Sequence, residues 1–497
     1  MLGAAFLQAI HNLTDPGLIL YTGAAIIIGL FIGILPAIGG LVPMAMTLPF
    51  VFWMTPLQAL PFIVTIAAVS STGGAMTSIL LNIPGDEVNA ATIIDGYPMT
   101  KKGEAGRAIG AALVSSAFGG AASVLISLVG IPILLSIVMA FRSAEMVFVV
   151  LLGISFVAGL GERSMVRNLI SGVLGILVAL IGFQQSTGTP RFTFGSTYLY
   201  SGIGLVPVIV GLFALPEAID LAATGGTIAK GGMRIGRIPA LISGVRDVMN
   251  HWWLWLRCMV IGWVVGVIPG IGGIVAAFVS YGHARASSKH PEKFGTGCIE
   301  GVIAPQSGLN AVQGGSMLTT LALGVPGSAG MVIVLGAFIL LGLVPGPRML
   351  TDHLDLSLTL LLVIFVTNLI AGIICFAVIP YVTKIVTVPA RIMFPSLVVL
   401  GLTGAFLYAG QIADVFMAVL FTFLGVVMRK FGYSRPAFLL GFVLGGLFEK
   451  YFFIAYSADG PLFFLRPISL ALILITISPL IYGPIKKLFA KQIEEEV

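Results

Sequence analysis

Apolar stretches long enough to cross a membrane recur along the chain from Leu18 almost to Leu488. Each is about 17 to 25 residues long, and a helix of that length crosses a hydrocarbon core of about 30 Å. The composition agrees, because 58% of the 497 residues are hydrophobic and only 9% are charged. In ordinary soluble domains about a quarter of the residues are charged. The sequence therefore predicts an all-α polytopic membrane protein that lies in a lipid bilayer.

Two of these stretches contain the same Pro-Gly motif, which reads GILPAIGG at residues 33–40 and recurs 233 residues later as GVIPGIGG at 266–273. Proline removes a backbone donor, so a helix kinks or breaks at such a motif. Lipid cannot hydrogen-bond the freed peptide groups. Non-helical backbone at membrane depth therefore has to be buried in protein or line a wet cavity. Both motifs are candidate ligand sites.

A second Pro-Gly pair extends the similarity between the two parts of the chain. The sequence NIPG at residues 82–85 matches GVPG at 324–327, and Gly73-Gly74 lies near the level of Gly314-Gly315. Two matched pairs of breaks predict a duplicated bundle, with a first repeat over residues 1–222 and a second repeat over residues 251–453.

Seven crossing segments are predicted in each repeat. A basic linker, 223–250, separates the repeats, and residues 454–497 supply one additional C-terminal transmembrane helix and a tail. Two stretches leave alternatives open, since 1–14 lies along the interface or crosses, and 328–345 crosses or forms a re-entrant hairpin. The predicted segments are 18–35, 38–54, 57–80, 106–130, 143–161, 166–184, 201–222, 251–268, 271–286, 302–323, 356–380, 392–410, 412–428, 436–453 and 467–485.

The positions of Lys and Arg predict the orientation, because short cytoplasmic loops of membrane proteins carry the excess positive charge. Lys101 and Lys102 follow the second break of the first repeat, whereas loop 55–58 is uncharged. In the second repeat this pattern is reversed, with Arg285 and two lysines in the equivalent of loop 55–58. We therefore expect inverted-topology repeats, with the linker and the C-terminus in the cytoplasm. Basic residues spread over short loops also argue against a nucleic acid as partner.

Inverted repeats whose broken helices meet near the midplane are typical of secondary transporters. Half-helix N-termini present N–H groups to a carboxylate, while hydroxyls, amides and unwound carbonyls suit a hard cation. We therefore expect an organic carboxylate as substrate, Na⁺ as coupling ion with H⁺ as the alternative, and no cofactor or transition metal. The candidate substrate-binding residues are Pro36, Gly39, Gly40, Ser71, Thr72, Gly73, Gly74, Asn82, Pro84, Gly85, Pro269, Gly270, Gly272, Gly273, Asn310, Gly314, Gly315, Ser316, Pro326, Gly327 and Ser328. The candidate coupling-ion residues are Ser70, Thr77, Ser78, Asn310, Gln313, Thr319, Thr320 and Glu300.

The acidic residues near the breaks have two interpretations. An ionisable side chain at membrane depth is functional by default, which favours Glu300 as a cation or proton site. Asp86, Glu87 and Asp95 either join the site or belong to a wet polar loop. For the neutral residues, the alternative interpretation is that Gly, Ser and Thr only allow close helix packing.

These residues resemble the large membrane subunit of the tripartite tricarboxylate transporter family over essentially the whole chain. The resemblance implies a bacterial inner-membrane importer of citrate-like or other organic carboxylates, driven by an ion gradient. It also implies a small membrane subunit and a periplasmic substrate-binding protein as partners. Gln306 and Asp86 depart from the family, which often has Glu at both positions. The resemblance is carried by the two motifs, both Pro-Gly pairs, 95–99 (DGYPM), Lys102-Gly103, 105–108 (AGRA), 300–302 (EGV), Ala304-Pro305, Asn310 and Gly314-Gly315.

Three function classes are weighed: an elevator-type secondary transporter, a carboxylate-permeable channel and an intramembrane enzyme. The five histidines lie at predicted helix ends or in loops, where none is placed beside a serine for nucleophilic catalysis at membrane depth. This argues against an enzyme. A channel differs from a transporter because its flux follows the substrate gradient and the voltage alone.

Overall fold

The computed structural model describes residues 2–35, 39–159, 165–184, 187–224, 238–385 and 390–477. Helices make up nearly all of this part of the chain, and its one sheet is a hairpin of β1 (Gly182–Phe183) and β2 (Pro190–Arg191). The prediction of an all-α multi-pass membrane protein is confirmed at this level. Predicted segments 143–161 and 467–485, the basic linker and the C-terminal tail extend partly or wholly outside the described residues.

The first half contains eleven helices within the described residues. A 3₁₀ helix, Leu48–Trp53, follows α3, and a π-helical turn, Val210–Ala214, joins α10 to α11. The helices are α1 (Leu2–Asn12), α2 (Pro16–Ile34), α3 (Leu41–Thr47), α4 (Pro56–Leu81), α5 (Ala90–Lys101), α6 (Ala105–Val138), α7 (Ser143–Gly159), α8 (Met165–Ala179), α9 (Thr197–Tyr200), α10 (Leu205–Ile209) and α11 (Leu215–Thr224).

The second half begins with a similar succession of helices and breaks. In each half, a first break at the GILPAIGG or GVIPGIGG motif ends one helix before the next begins. A second break, at the NIPG or GVPG pair, precedes a short helix of 12 residues, α5 or α16. The helices are α12 (Ile238–Asn250), α13 (Trp252–Val267), α14 (Gly272–Ser287), α15 (Glu300–Leu323), α16 (Ala329–Leu340), α17 (Pro347–Thr351), α18 (Leu354–Ile385), α19 (Ala390–Ala409), α20 (Ile412–Phe431), α21 (Arg435–Asp459) and α22 (Pro467–Ile477).

Seven helices within the described residues are long and apolar enough to cross a membrane, and each coincides with a predicted segment. Most of the other predicted segments form shorter apolar helices. Segment 302–323 forms α15, which has 24 residues but is polar along its length, and nearly all of its side chains are buried. The seven helices are Pro16–Ile34, Pro56–Leu81, Ala105–Ser136, Leu205–Ala223, Leu354–Ile379, Ile412–Phe431 and Arg435–Leu465.

Three stretches that the sequence left as loops or alternatives are short helices. The polar stretch after the second break contains α5, and the end of the linker, from Ile238, forms α12 against the start of α6. The ambiguous stretch 328–345 contains α16, whose 12 residues span about 18 Å at 1.5 Å per residue. That is less than a hydrocarbon core of about 30 Å, so α16 alone is too short to span it.

The long helices exchange partners between the halves. The first two long helices of each half pack together, α2 on α4 and α13 on α15. In contrast, α6 of the first half packs along α15 of the second, and α18 of the second half packs along α4 of the first. Glycines allow this approach, since a Cβ at Gly119 on α6 would lie 2.8 Å from the carbonyl oxygen of Ser307. The breaks of both halves are thereby held together.

Candidate functional site

The first break separates α2 from α3. Helix α2 ends at Ile34, and Leu35 is extended. Gly39 has a φ of +73°, a left-handed conformation that favours glycine, and its N–H donates to the carbonyl oxygen of Gly85 at 3.3 Å. The sequence-predicted break is therefore present, although Pro36 lies outside the described residues.

The first break of the second half, between α13 and α14, also has a left-handed glycine and a backbone bond to the Pro-Gly pair, although the bonded residues are not the equivalent ones. Gly272, which corresponds to Gly39, has a φ of +74°, and the N–H of Gly270 donates to the carbonyl oxygen of Pro326 at 3.2 Å. Pro326 belongs to the second Pro-Gly pair, as Gly85 does in the first half. In each half, the backbone of the first break is thus hydrogen-bonded to the backbone of the second.

Several candidate ligands form the packing frame of the breaks. Thr77 and Thr319 each donate a side-chain hydrogen bond to the last turn of the preceding helix, at 2.7 Å to Ile34 O and 2.9 Å to Val267 O. The glycines at 73, 74, 85, 315 and 327 lie against neighbouring backbone at distances that exclude a Cβ. Asn82 and Gly324 end α4 and α15 in the left-handed conformation. These residues position the site and do not line it.

A cavity of about 520 Å³ lies where the first break of one half meets the first break of the other. Both motifs contribute to its wall, together with side chains from α4 and α15. Residue Ile271, which caps α14, supplies no side-chain hydrogen bond, and the first residues of α14 line the cavity. The sequence-predicted residues that line it are Gly40, Ser70, Ser71, Gly270, Gly272, Gly273, Gln313, Ser316 and Ser328.

The other candidates lie outside the cavity lining. Ser78 and Thr320 bond to backbone carbonyls of their own helices, and Thr72 is buried with no hydrogen-bond partner. Gly314 lies against Ser123 of α6. The remaining residues that do not line the cavity are Gly39, Gly73, Gly74, Thr77, Asn82, Pro84, Gly85, Pro269, Asn310, Gly315, Thr319, Pro326, Gly327 and Glu300.

A network of side-chain amides lies directly behind the cavity wall. Asn310 Oδ1 accepts from Ser71 Oγ at 3.0 Å and from Gln313 Nε2 at 2.9 Å. Gln313 Oε1 in turn accepts from Asn368 Nδ2 at 2.8 Å, and Gln313 Nε2 also donates to Ala68 O at 2.8 Å. The amide nitrogen of Asn310 is buried and has no partner. Helices α4, α15 and α18 are thereby joined through neutral groups.

A second buried amide, Gln306, joins α15 to the first half. Its Nε2 donates to Asn89 Oδ1 at 2.8 Å and to Thr92 Oγ1 at 2.7 Å, and its Oε1 accepts from Ser116 Oγ at 2.7 Å. Asn89 also donates to Ser71 O at 3.0 Å. Polar residues inside otherwise apolar predicted segments were the available sequence signal for Gln306 and Asn368, but their partners could not be read from it.

Asp95 is fully buried, which excludes the wet-loop interpretation for this residue. Its Oδ1 accepts from the backbone N–H groups of Gly295, Gly297 and Cys298 at 2.7 to 3.0 Å, and its Oδ2 accepts from the Tyr281 hydroxyl at 2.9 Å. Asp95 therefore fixes the loop before α15 to α5.

Glu300 lies away from the cavity lining, at the first turn of α15, where its Oε1 is 3.5 Å from His251 Nε2. The hydrogen bond with Glu300 raises the pKa of His251, which lies in the turn between α12 and α13. This contact joins two helices of the second half. The sequence placed Glu300 with the coupling-ion residues because it starts a Pro-containing segment, and its side chain lies against the turn instead.

Asp86 does line the cavity. Its side chain lies beside Gly40 of the first motif. A Cβ on Gly40 would be only 2.5 Å from Asp86 Oδ2, so the glycine admits the carboxylate to the backbone of the first motif. The sequence placed Asp86 in either a site or a loop, and the structure places it in the wall.

Two arginines that the sequence interpreted only as topology determinants also line the cavity, at the junction of α20 and α21. Arg435 donates to Glu217 Oε1 at 3.0 Å, and Arg429 donates to Glu217 Oε2 at 2.9 Å and contacts Asp220. Acidic groups of α11 thus neutralise both guanidinium groups. No pattern in the sequence indicated that this loop reaches the cavity.

The comparisons with known proteins converge on one family. The model of the "Tripartite tricarboxylate transporter TctA family" matches residues 19–440. A protein of Agrobacterium vitis, described as "Uncharacterized 52.8 kDa protein in TAR-I ttuC' 3'region", is 32% identical over 484 residues, which are 95% of this chain and 96% of that protein. A second A. vitis protein, "Uncharacterized protein in TAR-II ttuC' 3'region", is 34% identical over 215 residues, 43% of this chain and 89% of that protein. No solved structure matches the chain.

Proposed function

The chain belongs to the tripartite tricarboxylate transporter TctA family, as a large membrane subunit, and from this premise we propose that it imports organic carboxylates through the cavity between its two breaks. Cation-gradient coupling, with Na⁺ favoured over H⁺, and delivery by a periplasmic binding protein complete the proposal. A small membrane subunit is the second partner. The location is the bacterial inner membrane, with the C-terminus in the cytoplasm.

The main support for this proposal is that the first breaks of both halves line one cavity. Backbone from residues 40 and 270–273, which are 230 or more positions apart in the sequence, lines the same volume of about 520 Å³. Small-molecule sites in proteins have volumes of about 300 to 1,000 Å³, so a tricarboxylate fits. Non-helical backbone at membrane depth is tolerated where it lines such a cavity.

The wall offers neutral donors to an anion. The glycines at the start of α14 bring backbone to the wall, and Ser70, Ser316 and Ser328 add hydroxyls. Because the guanidinium groups of Arg429 and Arg435 are already bonded to Glu217, a bound carboxylate would rely on the N–H and O–H groups. Binding through such groups leaves the substrate free to dissociate on the other side.

Neutral oxygens near the same wall support Na⁺ as the coupling ion. The hydroxyls of Ser70 and Ser71 and the amide oxygen of Gln313 are hard ligands, and the unwound backbone adds carbonyls. An elevator-type movement of two inverted repeats would then carry substrate and ion together. The matched order of elements in the two halves and the exchange of partners between α6 and α18 support this arrangement.

The test is uptake of labelled citrate into proteoliposomes that contain the purified chain, its small membrane subunit and its binding protein. We expect saturable uptake that increases with an inward Na⁺ gradient and requires the binding protein. An imposed pH gradient in Na⁺-free buffer is the control for H⁺ coupling. Uptake that follows only the citrate gradient and the voltage would contradict the proposal and favour a channel.

A further inference from the structure

The connection between α8 and α10, which we call the hairpin segment, runs from residue 180 to residue 204 and contains the β1–β2 hairpin and α9. Its described residues are 180–184 and 187–204. It follows α6, α7 and α8, whereas the connection that follows α18, α19 and α20 in the second half has only residues 432–434. Connections beyond about 12 to 15 residues are often functional in compact domains. The second half joins its helices without such a segment, so the bundle itself does not require one.

The hairpin segment lies at the opposite end of the bundle from a basic face. Arg167, near the start of α8, donates to Phe431 O at 2.7 Å, next to the basic last turn of α20. The Tyr198 hydroxyl in the segment donates to Asp414 Oδ1 at 2.7 Å, near the start of α20. At 1.5 Å per residue, the two ends of α20 are about 30 Å apart. Because short basic loops are cytoplasmic, we expect the hairpin segment on the periplasmic side.

Two contacts hold the hairpin segment against α20 and α21. The Arg191 guanidinium donates from Nη1 and Nη2 to the two carboxylate oxygens of Glu449, at 2.8 and 2.9 Å. The second contact is the bond from Tyr198 to Asp414, whose side chain is buried. A bidentate pair between arginine and a carboxylate fixes geometry as well as adding energy. The segment is therefore oriented by the bundle.

Two aromatic residues lie in strained backbone between these contacts. Phe192 and Phe194 have φ values of +54° and +49°, a left-handed conformation that is rare for bulky residues. Their side chains are 59% and 89% exposed, whereas Thr193 between them is buried. Such strain persists only where the surrounding structure imposes it, and it is concentrated at functional sites. The fold therefore holds two aromatic rings outward in a conformation that burial of their own side chains does not explain.

The surroundings of the two rings favour a protein partner over lipid. Arg191 is the only charged residue in 180–204, and Glu449 pairs with it. Thr187 and Thr189 are exposed at the turn of the hairpin, and their hydroxyls lie 2.8 Å apart. Burial of such groups in hydrocarbon is costly. Exposed aromatic residues with neutral polar neighbours and few charges are typical of protein–protein interfaces.

We propose that the hairpin segment, with Phe192 and Phe194 as its anchors, is the docking surface for the periplasmic substrate-binding protein. This inference rests on the proposed function, in which that protein delivers the carboxylate on this side of the membrane. Aromatic anchors that are already oriented lose little conformational freedom when a partner binds. The segment thus adds a recognition surface to the face at which substrate arrives.

The first experiment labels Phe194→Cys with a membrane-impermeant maleimide in spheroplasts that contain the chain and its small membrane subunit. We expect labelling from outside the cell, and labelling about tenfold slower or more after the purified binding protein is added. The wild-type chain is the control for the native cysteines, of which Cys258 and Cys375 are buried and Cys298 is half-buried. Labelling only in inside-out vesicles, or a rate that the binding protein does not change, would overturn the proposal. Protection by lipid or by the small subunit alone would also overturn it.

The second experiment measures citrate uptake in proteoliposomes as the concentration of citrate-loaded binding protein is varied. Phe194→Asn removes the ring and keeps a residue that tolerates the left-handed conformation. We expect the half-saturating concentration of binding protein to rise about tenfold or more, with a maximal rate within about twofold of the wild type. Phe192→Ala should act in the same direction, and Phe194→Tyr, which keeps the ring, should resemble the wild type.

A matched control is Phe423→Ala, which removes a ring that is 71% exposed on α20. An unchanged half-saturating concentration in Phe194→Asn and Phe192→Ala, or an equal rise in Phe423→Ala, would overturn the proposal. Melting temperatures in detergent confirm that the variants are folded. Protection of residue 194 is measured without transport. A complex that protects this residue but takes up no carboxylate with wild-type chain would therefore refute the proposed function and support the docking surface.

Discussion

In the first half, Thr77 donates to Ile34 O at 2.7 Å, and in the second half Thr319 donates to Val267 O at 2.9 Å. The same correspondence holds for packed glycines such as Gly33 and Gly266. The side chains around this frame differ, since Asp86 in one half corresponds to Ser328 in the other. The comparison teaches that the frame of the breaks is duplicated while its ligand chemistry is not.

A second difference concerns the helices after the first break. Helix α14 continues for 16 residues and packs on α15, whereas α3 ends after seven and continues as a 3₁₀ helix. Pro43 and Pro49 lie within this first-half segment. Proline removes donors from the i→i−4 ladder, which shortens the helix. Only the second half therefore presents a long helix whose N-terminus lines the cavity.

The largest effect is expected where both halves are most alike. A Cβ at Gly33 would lie 2.3 Å from Ser70 O, and one at Gly266 would lie 2.5 Å from Val312 O. Gly33→Val and Gly266→Val should each destabilise the protein by about 3 kcal/mol or more, since helix backbones would have to separate. Melting temperatures in detergent measure this. Gly23→Val and Gly282→Val, which have open space at the Cβ, are the controls. If only one of Gly33→Val and Gly266→Val destabilised the protein, the frames of the two halves would not be equivalent.

The two left-handed glycines test whether a residue at a break only holds the backbone or also contacts the ligand. Gly39 and Gly272 have φ values of +73° and +74°, and nothing lies within 4 Å of a Cβ at either position. Leucine therefore costs both the same backbone strain, about 1 to 2 kcal/mol. Gly272 lines the cavity and Gly39 does not. We expect Gly272→Leu to reduce citrate uptake about 10- to 100-fold and Gly39→Leu considerably less. Equal losses would place the ligand at both breaks.

The threonine bonds test whether the frame is equally strong in both halves. Thr77→Val and Thr319→Val keep the side-chain shape and remove one donor, so each should cost about 1 to 2 kcal/mol. Thermal unfolding of the two variants, with the exposed Thr351→Val as control, provides the comparison. Costs that differ by more than about 1 kcal/mol would show that the frame is weaker in one half.

The smallest effect concerns how each half begins. Asp15 caps α2 by accepting from Leu18 N–H at 2.7 Å, whereas His251 precedes α13 and contacts Glu300. Because this contact raises the pKa of His251, its stabilisation is complete below the unfolded pKa of about 6.5 and is lost as pH rises through the raised value.

His251 is about one-third exposed, so a few tenths to about 1 kcal/mol are at stake. Melting curves of the wild type and of Glu300→Gln between about pH 5.5 and 8.5 measure this effect. The wild type should lose more stability with rising pH than the variant. An identical pH dependence would contradict the contact's contribution.

The sequence predicted most long helices because lipid-facing helices are uniformly apolar. It predicted the breaks because Pro and Gly have local conformational consequences. It failed at α5, where Asp95 and Lys101 indicate a loop. The carboxylate is buried there because three backbone N–H groups from residues distant in sequence satisfy it. Such tertiary compensation leaves no local pattern.

The location of the cavity was predictable from the sequence, and its contacts were not. Residues such as Ser71 and Ser316 were proposed because they are polar and adjacent to the breaks, and they line the cavity. Thr77 and Thr319 share these features and hold helix ends instead. The direction of a side chain on a buried helix depends on which neighbour packs on it, as with α6 on α15. Arg429, in the last turn of α20, lines the cavity from another part of the bundle.

The tether made by Asp95 has a consequence for the kinetics of transport. It fixes the start of α15, in the second half, to α5, in the first half, so we expect these two helices to move together. In the proposed elevator-type transport, the displacement of the cavity is then a sliding of apolar helix surfaces past one another. We expect turnover to respond to acyl-chain length and membrane viscosity more steeply than to denaturants that weaken hydrogen bonds.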